Sequence, residues 1–147
     1  MGVRSDLFNA NASEARSLAE SERPELEWSG MGFDGLDNVK LATLWGILDG
    51  GTPNSSLEEH LDALKAVISL PDQGALVFEL PQALIAYMAI VSGFEPEARN
   101  ELAAKWAQAE EFESWDESEV QELLQGITDL ADMARLESKT LLLRISP

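Results

Sequence analysis

Seven apolar residues, Val120, Leu123, Leu124, Ile127, Leu130, Ala131 and Ala134, recur at the helical period. A stripe of that length buries itself only if other parts of the chain cover it. It predicts a last helix, capped by Ser114 or Asp116, and it requires several partners from the preceding sequence. Those partners are visible. Asp37 can cap a helix over residues 38–49 whose apolar positions, Val39, Leu41, Leu44, Trp45, Ile47 and Leu48, are too widely spread for one stripe. That breadth predicts a central helix covered on most sides, ended by Gly50 and Gly51, which tolerate a left-handed backbone. Leu57, Leu61, Leu64 and Ile68 follow at helical spacing, with Ser55 or Ser56 placed to form a capping box with Glu58 or Glu59, and Pro71 as the stop. Pro81 opens a helix on Leu84, Tyr87, Met88 and Val91 that Gly93 ends. Pro96 opens another, on Ala98, Leu102, Trp106, Ala109 and Phe112. A short helix on Ala15, Leu18 and Ala19 follows Asn11, which stands three residues before Glu14.

Strand signals are few. Val3 to Ala10 and Thr140 to Ser146 have strand-like composition, and Ala75 to Leu80 is a short apolar run that fits a strand or the approach to the next helix. Residues 21–37 read as a loop because three glycines fall within positions 30–35. No Gly-Lys-Ser/Thr follows them, so they are not a phosphate loop. The expectation is a mainly α fold: one all-helical domain over residues 1–147, with five or six helices and a minor β element in which strands at the two chain ends pair. Strands and helices do not alternate as βαβ units, which disfavours a dinucleotide-binding fold. The core should include Trp45, Leu48, Leu61, Leu64, Tyr87, Trp106, Leu123, Ile127 and Leu130.

The chain has no cysteine and a single histidine among 147 residues. A disulfide framework, a thiolate zinc site, a cysteine nucleophile and a multi-histidine metal site are therefore excluded within one chain. With 45% hydrophobic residues the chain has the apolar surface to fold without a metal or a cross-link, and no cofactor is expected. Met1 to Asp6 lack the apolar stretch of a signal peptide, and the longest near-apolar run, Ala83 to Val91, is far below the ~20 residues of a membrane span. The expectation is a cytoplasmic protein. The 27 acidic and 10 basic side chains give a net charge of −17. That charge opposes binding to nucleic acid and to anionic membranes, and favours a basic partner.

The acids concentrate between Glu95 and Glu122, where ten carboxylates face only Arg99 and Lys105. Within that stretch Glu110, Glu111, Glu113, Asp116 and Glu117 surround Trp115, an aromatic anchor in a charged rim. They are the candidate partner-binding residues, although a solvated surface around a core tryptophan explains the same pattern. His60 sits among Glu58, Glu59 and Asp62, but the Leu57–Leu61–Leu64 stripe places it on the solvent side, and no motif of nucleophilic or zinc-dependent catalysis is present. The function expected is therefore a non-enzymatic, bacterial-type protein-interaction or inhibitor module, immunity-like, that masks a basic surface. The alternative is a small ligand-binding domain or metal-independent enzyme with an aromatic pocket of Trp28, Phe33, Trp45 and Tyr87.

Overall fold

Thr140–Ser146 is a strand, as its composition suggested, although it lacks the usual alternation. Leu141, Leu142 and Leu143 are consecutive and all are fully buried, as happens when a strand is covered on both faces and loses its alternation of apolar with polar residues. A computed structural model describes residues 4–52, 56–64, 66–70 and 75–146. In chain order the strands are β1 (Arg4–Ala10), β2 (Ser29–Asp34), β3 (Ala66–Leu70), β4 (Ala75–Glu79) and β5 (Thr140–Ser146). The helices are α1 (Ala15–Glu20), α2 (Asn38–Gly50), α3 (Leu57–Ala63), α4 (Gln82–Ser92), α5 (Pro96–Ala107) and α6 (Glu117–Leu136).

All five strands form one antiparallel sheet in the order β2-β1-β5-β4-β3. The fold is a mixture of α and β, which corrects the expectation of an all-helical domain with a minor β element: strand makes up 22% of the described residues and helix 58%. The chain ends do pair, from Arg4 opposite Ser146 to Ala10 opposite Thr140. They form the middle of the sheet rather than an accessory tie.

The sheet separates two cores. On one face Leu7, Phe78, Leu141 and Leu143 join residues of α2, α4, α5 and α6, with Trp106 and Phe112 among the largest buried side chains. On the other face Phe8, Val77 and Leu142 pack on Ala15, Leu18 and Ala19 of α1. Strand β1 carries three buried polar side chains, and each makes a polar contact, although Asn9 Oδ1 has no hydrogen-bond partner among the described residues. Ser5 Oγ donates to the Leu36 carbonyl (2.6 Å), Arg4 Nε donates to the Asp6 carboxylate (2.9 Å), and Asn9 Nδ2 donates to Glu137 (3.2 Å).

Several boundaries follow the sequence signals. The Asp37 carboxylate accepts from the Lys40 N–H at the start of α2, and Gly51, at φ 86°, closes that helix in the left-handed region. Asn11 and Glu14 form a capping box, as do Asp116 and Glu119 at the start of α6. Helix α5 ends at Ala107, so Ala109 and Phe112, expected on its stripe, lie beyond it, and two further segments differ. The helix expected to run through Ile68 stops at Ala63, and residues 66–70 form β3. Leu57, Leu61 and Leu64 face the helical core, whereas Ile68 and Leu70 pack on the α1 side, so the spacing from Leu64 to Ile68 only mimics a helical step. The β-branched Val67 and Ile68 fit a strand better. Ser56 lies in the left-handed region (φ 51°) and makes no side-chain cap; Ser55 and Pro71 fall outside the described residues. The second difference is β2, in a segment read as loop. Of the expected core, Leu64, Trp106, Leu123, Ile127 and Leu130 are buried, while Trp45, Leu48, Leu61 and Tyr87 are half-buried.

Burial on both sides makes β5 the most demanding strand. Leu143→Ala, which opens a cavity between Leu7 and Phe78, should cost ~2–5 kcal/mol in denaturant unfolding. Val67→Ala on the exposed edge strand β3 should cost less than about 1 kcal/mol. Equal effects would contradict this sheet order.

Candidate functional site

Strand β2 is an edge strand, Ser-Gly-Met-Gly-Phe-Asp, and its glycines have steric reasons. A Cβ on Gly30 would collide with the Leu7 carbonyl and approach Phe8 Cδ1 to 2.7 Å. A side chain there would push β2 off β1. Met31 and Phe33 point to the opposite face, toward α6. They approach it closely because Gly126 has no side chain: a Cβ there would lie 2.9 Å from Phe33 Cε1 and 3.6 Å from Met31 Cε.

The contact leaves a furrow between β2 and α6. At one end a cleft of about 290 Å³ is lined by Met31, Phe33, Trp115, Glu119, Glu122 and Leu123. At the other end a cleft of about 570 Å³ is lined by Leu26, Trp28, Met31, Leu130 and Met133, with Glu25, Glu27 and Asp129 around them. A third, of about 480 Å³, crosses α6 between Met31 and the start of α5, past Glu122, Gly126 and Asp129, and includes Arg99. Met31 belongs to all three. Leu26, Met31 and Met133 are 74%, 48% and 43% exposed. Large apolar side chains left exposed together mark an interaction surface more often than scattered ones do, and methionine adapts its shape to what it meets.

Trp115 is held in this furrow from below. Trp106 packs edge-to-face on Phe112 (4.9 Å between centroids), and Phe112 packs likewise on Trp115 (5.0 Å). The Lys40 ammonium lies 5.5 Å from the Phe112 ring centre and 5.6 Å from that of Trp115, and 3.7 Å from an Asp37 carboxylate oxygen. A largely buried lysine is stabilised by such ring faces and by a carboxylate partner. Around Trp115, Glu110, Glu113, Asp116 and Glu117 are exposed, Glu111 is half-buried and Phe112 is buried. Of the residues in the acidic stretch, the furrow gathers Trp115 with Glu119 and Glu122. Glu110, Glu111 and Glu113 lie on the α5–α6 connection beside it.

The four aromatics of the pocket alternative do not converge. Trp28 and Phe33 line opposite ends of the furrow. Trp45 and Tyr87 belong to a separate cluster around Asp49. There the Tyr87 hydroxyl donates to Asp49 Oδ1 (3.3 Å), and His60 Nε2 lies 3.4 Å from Asp49 Oδ2 while its ring stacks on Trp45 at 4.4 Å. His60 is 5% exposed, not on the solvent side as its helical phase implied, and its Nδ1 has no hydrogen-bond partner among the described residues. Helix α3 lies against α2 on that flank, so the face opposite the Leu57–Leu61–Leu64 stripe is covered as well. Among the described residues no three His, Asp or Glu side chains are grouped to hold a metal ion, and no helix is long and apolar enough to cross a membrane.

Sequence reasoning missed β2, Leu26, Met133, Glu119, Glu122 and Asp129 as members of one surface. The available signal was the apolar Met31 and Phe33 alternating with Gly30 and Gly32, a period-two pattern hidden by the usual meaning of glycine. No protein-family model, curated protein or solved structure matches the chain.

The Trp28 end of the furrow is tied down by Glu14, whose carboxylate accepts from the Asn11 N–H (2.8 Å) and the Trp28 indole (3.0 Å). The Asn11 backbone bond first, then the Trp28 bond, hold the Glu14 carboxyl below its ordinary value of 4.5. A lowered folded-state value adds stability that is complete above the ordinary value and is lost as the pH falls through the lower one. Glu14→Gln should therefore melt below the parent near pH 7, and the gap should close on acidification below about 4.5. A gap that stays constant with pH would show that the charge of Glu14 is not what holds Trp28.

Proposed function

We propose that the chain is a non-enzymatic protein-interaction module, inhibitor- or immunity-like, that docks a basic protein on the β2–α6 furrow. The observation that carries this reading is the composition of the furrow. Leu26, Met31 and Met133 lie exposed together, continuous with Phe33 and Trp115, and Glu25, Glu27, Glu119, Glu122 and Asp129 rim them. An apolar centre supplies affinity, and a predominantly acidic rim, with Arg99 its exception in the third cleft, selects a partner of opposite charge and speeds its encounter. Glu110, Glu111, Glu113, Asp116 and Glu117 extend the negative field past Trp115. The net charge of −17 disfavours nucleic acid and anionic membrane as partners. The reading includes a cytoplasmic location and requires no cofactor.

The test is capture from the host lysate at low and raised salt, using the parent and two charge-reversed variants. One changes Glu122 and Asp129 to Lys, and the other changes Glu110, Glu111 and Glu113 to Lys. All but the half-buried Glu111 are exposed, so the core should survive. The expected result is a basic protein retained by the parent, weakened by salt, lost from the Glu122/Asp129 variant and reduced in the other. A protein held equally by all three and insensitive to salt would contradict the reading.

A second reading, a small ligand-binding domain or metal-independent enzyme, draws on the Asp49–His60–Tyr87–Trp45 cluster and its buried, unpartnered imidazole nitrogen. The outcome that favours it is capture of no protein at either salt.

A further inference from the structure

The partner's mode of attachment is also written in β2. This inference rests on the basic-partner reading and specifies what the partner presents. Strand β2 pairs with β1 on one side, from Ser29 opposite Asn9 to Asp34 opposite Arg4, and is the last strand of the sheet on the other. Among the described residues its outer edge carries backbone N–H and C=O groups with no neighbouring strand, which is a template for an added strand. Clefts open on both faces of that edge. On the α6 face lies the furrow, floored by Met31 and Phe33. A further cleft of about 330 Å³ reaches the other face, lined by Arg4, Asp6, Phe8, Glu25, Gly30 and Gly32, and shares Met31 and Phe33 with the furrow.

We propose that β2 accepts an extended, basic segment of the partner by strand addition, extending the sheet to six strands. Side chains of an added strand alternate between the two faces, and the two faces here differ. On the α6 face the floor is apolar and the rim is acidic. It fits Lys or Arg, whose stems lie on Met31 and Phe33 while the charged heads reach Glu119, Glu122 or Asp129. On the other face the Phe8 ring and the Asp6 carboxylate lean across Gly30 and Gly32, and an apolar residue of the incoming strand lies over that track beside Phe8. The segment recognised is thus about six residues long, with cations in one phase and β-branched or aromatic residues in the other. Charge argues against a second copy of this chain as the occupant. Pairing β2 with its own copy would bring Glu25, Glu27, Glu119, Glu122 and Asp129 against the same five carboxylates.

The probe is a synthetic peptide of about ten residues in which Lys or Arg alternates with Val or Phe, titrated against the intact protein by tryptophan fluorescence and amide hydrogen exchange. Three relatives of the peptide are measured beside it. One has the same composition with the alternation scrambled, and two are N-methylated on alternate amides in opposite phases. Strand addition predicts binding at least about tenfold tighter than the scrambled peptide. One methylation phase should lose at least about tenfold and the other little, because only alternate amides face β2. The outward-facing amides of β2 should gain protection. Equal binding of both methylated forms, or of the scrambled peptide, overturns strand addition, as does no binding up to about 1 mM.

The Glu122→Lys/Asp129→Lys variant separates the two levels of inference. If it abolishes binding while methylation phase has no effect, the acidic furrow stands and strand addition fails. If phase matters and charge reversal does not, strand addition stands and the basic-partner reading fails.

Discussion

The Trp106 indole donates to two acceptors on α2, the Lys40 carbonyl (3.0 Å) and Thr43 Oγ1 (3.1 Å). It is fully buried, so these bonds are made where an unpaired N–H would be costly. They fix α5 against α2, and the rest of the helical layer is built outward from that junction. Phe112 leans edge-on against Trp106, and Trp115 against Phe112. Asp116 then starts α6 directly beyond the stack. Lys40 lends its carbonyl to Trp106 and its ammonium to the outer two rings. The stack therefore runs from the core to the wall of the furrow, and the position of Trp115 there is inherited from a tryptophan that never meets solvent. An isolated surface tryptophan would have to be ordered at the moment of binding, whereas this one is already held, which in the docking proposed above would lower the entropic cost of association.

Helices were legible wherever a cap or a stop stood beside a full apolar stripe, as at Asp37–Gly51 and Asp116–Leu136. The sheet was less so, and for different reasons in each strand. Strands β1 and β5 are legible from composition, and so is their pairing, although β5 lacks alternation because both faces are covered; what composition does not show is their place in the middle of a five-stranded sheet. Strand β3 has Ile68 at a spacing that continues the stripe of α3. Strand β2 uses glycine where β1 side chains lean across it, and glycine ordinarily signals a turn. In each case the deciding information is the neighbour across the sheet, which one strand's sequence does not contain. The same limit applies to the candidate site. Trp115 and the acids near it were visible as a cluster in sequence, but Leu26, Met31 and Met133 come from three separate segments. His60 was misplaced because its burial depends on Trp45 and Asp49 of another helix.

The acidic surface and the open edge also make sense together. A free edge strand invites pairing with any exposed strand, including that of another copy. Strand β2 is short, carries two glycines and lies beside Glu25, Glu27, Glu119, Glu122 and Asp129. In the docking proposed above, the carboxylates would repel a second acidic copy while leaving the edge accessible to a cationic segment. At the other edge, β3 is exposed at Ala66, Val67 and Ser69, while Ile68 and Leu70 pack on the α1 side; no cleft described above flanks it.

Amide hydrogen exchange of the free protein, resolved residue by residue along 29–34, tests most directly whether the β2 edge is open. In an antiparallel edge strand alternate amides bond to the neighbouring strand and the others face outward. An open edge predicts slow exchange at every second residue of β2 and fast exchange between them, against uniformly slow exchange in β1 and β5. Slow exchange at successive β2 residues would mean that the edge is already covered, and fast exchange at all of them would mean that β2 is not held on β1. Either result would contradict a furrow with an open strand beside it.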